Sequence, residues 1–291
     1  MSLPQTGEVA FRRPADAELV EESVGNAGYR LKVVIARIIV GVVVIGLWEW
    51  MAGPGIAFAA WEFKVDPFFI SRPSLIVGRL AEWVITGTLW FHLWITMQEM
   101  ISGFVLGSTS GIVVGFVLGK NAFLAEVLDP YIIAIYSLPK IALAPLVILW
   151  FGIDLTPKIV LAAIVVFFLV FYNAYTGVRE VERELVDALR LMGATSLQIL
   201  TKVELPSALT LIFLGLKMSV PYALIGAIVG EMMAANKGIG AMLQNSAGQF
   251  DTAGVFATLL VLMIISTILN EILQRSEGVV LRWKEDRKSV V

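Results

Sequence analysis

Two lysines lie where charge is expensive. Lys140 falls within the apolar stretch SLPKIALAPLVILWFGI (137–153), and Lys217 lies deep in another that begins near residue 207. At helical rise, Lys217 is roughly 15 Å from the start of its run, which is deep for a side chain to reach polar headgroups. An ionisable group at membrane depth faces a bundle interior or a water-filled path, and two cations there would attract an anionic solute. Pro139 and Pro145 flank Lys140, free backbone carbonyls and kink the run, which is tolerated where it lines a cavity or packs on neighbours. Pro139, Lys140, Lys217 and Glu231 are therefore the candidate residues of a translocation path. A second reading stays open: either lysine pairs with Glu231, Glu99 or a backbone carbonyl and has no role in transport.

Other chemistry finds no constellation. There is no cysteine and only one histidine, His92, so thiolate catalysis, disulfides and a histidine metal cluster are excluded, and His92 is expected to be structural. No Ser/His or paired-Asp arrangement occurs at membrane depth, so neither catalytic nor metal residues are assigned. GFVLGKN (115–121) lacks the glycine at 114 and the Ser or Thr after Lys120 that a phosphate-binding loop needs. A formal net charge of −2 with dispersed basic residues gives no nucleic-acid partner. Met218, Met232 and Met233 read as packing. A stand-alone ion-coupled transporter or channel remains the alternative, but Glu49, Glu99 and Glu231 are placed near span ends, poorly suited to a midplane relay.

The elements that must position these residues are membrane helices. The chain is 58% hydrophobic and 16% charged, with mean hydropathy +0.82. Six apolar runs near 31–50, 101–119, 130–151, 159–178, 207–230 and 254–273 each suffice to cross a hydrocarbon core of about 30 Å. The sequence thus predicts an all-α polytopic membrane protein of six transmembrane helices. It has a tail at 1–30, a membrane domain at 31–278 containing a charged loop at 179–206, and a tail at 279–291. Acidic residues before the first run argue against a cleaved signal peptide. With the N-terminus inside, and leaving aside Arg12 and Arg13 of the tail, twelve lysines and arginines fall on the cytoplasmic side and five, Lys158 and Lys237 among them, on the other. Both termini are therefore expected in the cytoplasm.

Gly103, Gly107, Gly111, Gly115 and Gly119 recur at every fourth position of the second run. In lipid, helices associate by close packing through small residues, and steps of four trace the slanted row used in ridge-and-groove contacts. The row is read as packing within the chain's own bundle, with a homodimer contact as the other possibility.

The loop VREVERELVDALRLMGATSLQILTKVELPSALT (178–210) folds on its own evidence. Leu185, Ala188, Leu189 and Met192 share a helical face, Gly193 suits a left-handed stop, and Thr195 with Gln198 forms a capping box. Pro206 sits where a first helical turn tolerates it. A surface anchor or a docking knob fits this segment; its mixed charges disfavour DNA binding.

Asp187-Ala188-Leu189, then Gly193, then Val203-Glu204-Leu205-Pro206 resembles the EAA loop of binding-protein-dependent ABC importer permeases, spacing included. Asp187 replaces Glu, Leu189 the second Ala and Val203 the Ile. The resemblance covers roughly residues 67 to 278, and 137–153 with the glycine row looks most like the nitrate, taurine and aliphatic-sulfonate branch, although Glu99 stands where that branch is expected to carry a basic residue. It implies a type I importer permease bundle in the cell inner membrane, a cytoplasmic coupling helix, and ATPase-coupling roles for Asp187, Ala188, Leu189, Gly193, Leu205 and Pro206. It also implies partners: cytoplasmic ABC ATPases that use ATP and Mg²⁺, an external substrate-binding protein and a second permease subunit, expected as a homodimer. No cofactor is expected on this chain.

Overall fold

The structure, a computed structural model, describes residues 14–53, 56–58, 61–63 and 67–280. The chain divides into two compact units, 1–74 and 75–291.

In the first unit, α1 (Pro14–Ala52) carries the apolar run, and Leu31–Ala52 is long and apolar enough to span a membrane. Glu49 lies near its end and accepts hydrogen bonds from the Ser74 amide (2.9 Å) and hydroxyl (2.7 Å). Arg72 Nε donates to the Ala52 carbonyl at 2.7 Å, closing the same end. Strands β1 (Ile56–Phe58) and β2 (Trp61–Phe63) pair antiparallel, and α2 (Pro67–Ile70) follows.

The second unit is helical among its described residues. α3 (Pro73–Ile85) leads into α4 (Thr88–Lys120), then α5 (Ala122–Tyr136), a 3-10 turn (Lys140–Leu143), α6 (Ala144–Phe151) and α7 (Leu155–Arg179). After α7 come α8 (Arg183–Leu191), α9 (Ser196–Ile199), a π turn (Leu200–Glu204), α10 (Leu205–Ala234), α11 (Ile239–Gly248) and α12 (Thr252–Val280). Five helices are long and apolar enough to pass as single spans, and the number is six if α5 with the 3-10 turn and α6, bent by 78°, counts as one broken span. The bend has a local cause: Leu138, preceding Pro139, is disfavoured in helical conformation, while Pro145 sits in the first turn of α6, where its missing N–H leaves nothing unpaired.

At its core, α7 lies between α4 and α10. Met100, Val166, Val170, Val220, Ala223 and Ala227 form one buried cluster. The glycine row of α4 runs along α7 of the same chain. A Cβ at Gly111 would come within 2.9 Å of the Phe167 carbonyl oxygen and 3.0 Å of the Phe171 nitrogen, and one at Gly119 within 2.9 Å of the Tyr175 oxygen. Gly226 of α10 also approaches α7, at the Ala162 backbone. α7 thus takes close backbone contact from two helices.

Two expectations need correction. The second span begins at Thr88, well before residue 101, because the polar groups of His92, Thr96 and Glu99 are paired internally and no longer resist burial. For the same reason Glu99 is not near a span end; it is the twelfth residue of a 33-residue helix. The tail expected at 279–291 lies, from 281 onward, outside the described residues, as do residues 1–13.

Candidate functional site

The loop between α7 and α10 forms a connected folded unit. Asp187 and Arg190 pair on α8 at 3.2 Å. Gly193 adopts φ +78, a left-handed conformation that side chains rarely tolerate, and the Ala194 amide donates to the Leu189 carbonyl at 2.9 Å, closing the turn. Thr195 and Gln198 make the reciprocal capping box that starts α9. Ile199 is buried and anchors the segment, the π turn leads directly into α10, and Pro206 occupies the first turn of that helix. Lys120, the last residue of α4, reaches Glu204 at 2.9 Å, so the loop is tied to α4 as well as α10. Asp187, Ala188 and Gly193 are exposed, Leu189 is half-buried, and Leu205 is exposed at the start of α10. A cavity of about 380 Å³ separates this loop from the ends of α4 and α7, bordered by Lys120, Glu126, Arg179, Asp187 and Arg190.

The four path candidates separate. Lys217 on α10 pairs with Glu277 on α12 at 2.6 Å, a partner outside the expected set of Glu231, Glu99 and a carbonyl. Lys140 forms no ion pair among the described residues; its Nζ donates to the Tyr136 carbonyl and lies 4.3 Å from the Tyr136 ring centroid and 5.4 Å from that of Phe168. Pro139 and the exposed Ser137 and Leu138 form the break beside it. Glu231 does not face open space in this chain: its side chain is fully buried against α4 and α11.

Sequence reasoning missed what surrounds Glu231. Thr96 Oγ1 donates to Glu231 Oε1 and the Gly240 amide to Oε2, both at 2.6 Å. The Ile239 amide donates to Thr96 Oγ1 at 2.8 Å, and the Gly238 amide to His92 Nδ1 at 2.9 Å. Glu99 Oε1 lies 3.1 Å from Lys158 Nζ on α7. Lys158, counted above among external loop residues, is buried inside the bundle. The spacing of Thr96 and Glu99, three apart on one helix face, was the available signal; their partners lie about 60 to 140 residues away and carry no mark in sequence.

The family model described as "Binding-protein-dependent transport system inner membrane component" matches residues 107–277. A riboflavin transport system permease protein of Chloroflexus aurantiacus is 34% identical over 217 residues, covering 75% of this chain and 81% of that protein. An aliphatic sulfonates transport permease protein of Bacillus subtilis is 29% identical over 283 residues, 97% and 95% of the two chains. In fold, the chain is similar to an inward-facing MetNI methionine ABC transporter, with TM-score 0.51, 23% identity, and coverage of 69% of this chain and 95% of that one. The matched region runs from the glycine row through the Asp187–Pro206 loop to α12, and the chain belongs to the family of binding-protein-dependent inner-membrane components, the permease subunits of ABC importers.

Proposed function

We propose that this permease carries a small anionic solute, received from an external binding protein, and that its 183–206 loop docks on a cytoplasmic ATPase whose ATP and Mg²⁺ chemistry drives the step. The observation that carries the coupling reading is the apolar edge of the loop. Leu191 and Met192 are 90% and 81% exposed, at the end of α8 and beside a turn fixed by Gly193. Rigidly held apolar side chains projecting from the bundle suit burial in a partner's groove. Asp187, Ala188, Leu189, Gly193, Leu205 and Pro206 take coupling roles in this account. Both termini and the loop lie on the cytoplasmic side, residues 31–278 form the membrane domain, and a second copy completes the path. ATP-driven membership also displaces the ion-coupled alternative.

The anionic cargo rests on Lys140, a cation at a helix break with no carboxylate partner among the described residues. The relative named for aliphatic sulfonates agrees with that reading, while the one named for riboflavin widens the range of cargo.

Purification of the tagged chain from native membranes, with and without Asp187→Arg plus Gly193→Trp, tests the coupling. An ATPase should accompany the parent chain and be lost from the double variant while both remain folded in the membrane. Retention by the variant, or no ATPase with the parent in any mild detergent, sinks the reading.

A further inference from the structure

The junction of α4, α7, α10 and α11 holds more charge than the proposed transport path uses. Glu99 and Glu231 are both 0% exposed. Glu231 is fully supplied with donors: Thr96 Oγ1 and the Gly240 amide each reach one oxygen at 2.6 Å. Its carboxyl therefore sits on the N-terminus of α11, where unpaired amides and the helix dipole favour negative charge.

Glu99 is different. Neither of its oxygens receives a correctly directed hydrogen bond, and it lies one turn along α4 from Thr96, whose hydroxyl holds Glu231, so the two carboxyls are neighbours in one buried cluster. Two ionised carboxylates are acceptors only, so their contact is repulsive unless a proton lies between them. The charge count agrees: two carboxylates against Lys158, 3.1 Å from Glu99, leave one uncompensated negative charge. Burial of an unpaired charge in an apolar interior is costly, and one proton makes the cluster neutral.

The remaining polar groups facing the pair do not supply that proton. Thr96 from α4 already donates to Glu231, and His92 on the same helix uses Nδ1 to accept from the Gly238 amide. Lys237, in the turn before α11, lies 5.9 Å from the Phe91 ring centroid. Among the described residues, Lys158 on α7 forms the one ion pair with either carboxyl.

We propose that Glu99 and Glu231 together form a proton-binding site, holding a single shared proton that joins α4 to the end of α10, where Glu231 caps α11. Loss of that proton sets carboxylate against carboxylate directly beneath the N-terminus of α11, so protonation controls how firmly α11 seats on α4. The site requires nothing of the solute and stands whichever cargo is carried.

Infrared spectroscopy of the full-length protein in lipid vesicles at neutral pH reads the proton directly. The parent should display a protonated-carboxyl carbonyl band that shifts in D₂O. Glu99→Gln should remove it, because the carboxamide donates an N–H to Glu231 and leaves that group ionised. Glu231→Gln should remove it as well, with Glu99 ionised beside Lys158. If Glu231→Gln fails to insert because α11 loses its cap, Glu99→Gln decides alone, since it leaves every bond to α11 in place. No such band in the parent, or a band unaffected by Glu99→Gln, overturns the proposal.

Discussion

Lys140 and Lys217 look equivalent in sequence, each a lone cation in an apolar run, and the structure gives them different surroundings. The 2.6 Å contact with Glu277 neutralises Lys217, whereas Lys140 has a carbonyl and two aromatic faces, which hold its ammonium in place without cancelling its charge. If Lys140 meets the anion, Lys140→Met removes a charge-assisted contact of about 1.5–3 kcal/mol, roughly a 10- to 100-fold loss in transport at limiting solute. Lys217→Met should instead leave Glu277 unpaired and lower thermal stability, with Lys217→Met plus Glu277→Leu recovering it. Uptake assays with the reconstituted complex and unfolding curves separate the two; equal transport loss in both variants would refute the division. The place of each lysine within an apolar run was legible in sequence. Its partner was not: Glu277 is 60 residues from Lys217 on another helix, and Lys158 was assigned to a loop because a buried lysine reads as a boundary until Glu99 is seen beside it.

At the scale of the helix, the glycine row declared close packing before its partner was known. A period of four in an apolar run specifies a ridge that must meet backbone, but does not say which backbone. The structure answers with the carbonyls of Ile159, Ala163, Phe167, Phe171 and Tyr175, themselves spaced in steps of four along α7. A side chain at Gly107 would come within 2.9 Å of Val166 Cβ and 3.0 Å of the Phe167 amide nitrogen, in a neighbour that α10 also packs against. Gly107→Val should therefore destabilise the bundle by about 1–3 kcal/mol, the usual range for overpacking. Gly78→Ala, where a Cβ meets nothing within 4 Å, should be neutral or stabilising by up to about 1 kcal/mol. Thermal unfolding in one detergent compares them, and equal melting temperatures for Gly107→Val and the parent would mean that the α4–α7 contact yields. Helix existence was legible throughout; extents failed at α4, where paired polar groups extend the span, and at the Pro139 break, where one apolar run holds two helices.

Across the whole molecule, the proposed coupling requires that a push on the 183–199 segment reach the membrane. That segment has two rigid outlets: the π turn continues without a break into α10, and Glu204 grips the end of α4 through Lys120. Both helices press glycine-lined faces onto α7, so a displacement at the loop has little slack in which to dissipate. Packed interfaces of this kind move by rocking between discrete arrangements. The link depends on the Gly193 turn, whose left-handed geometry and 2.9 Å Ala194-to-Leu189 closure fix α8 against α9. Insertion of two alanines after Gly193 adds about 3 Å of helical rise and 200° of rotation, or an equivalent length of slack loop. The apolar edge at Leu191 and Met192 survives, so the ATPase should still bind and hydrolyse ATP, while Ile199 and the π turn no longer follow α8. Hydrolysis should persist and solute uptake fall to background in vesicles containing the full complex. Loss of both activities together would mean that the insertion has broken docking, and co-purification of the ATPase with the variant tells that case apart. Uptake coupled to hydrolysis at the parent ratio would show that force enters the bundle elsewhere than through this turn.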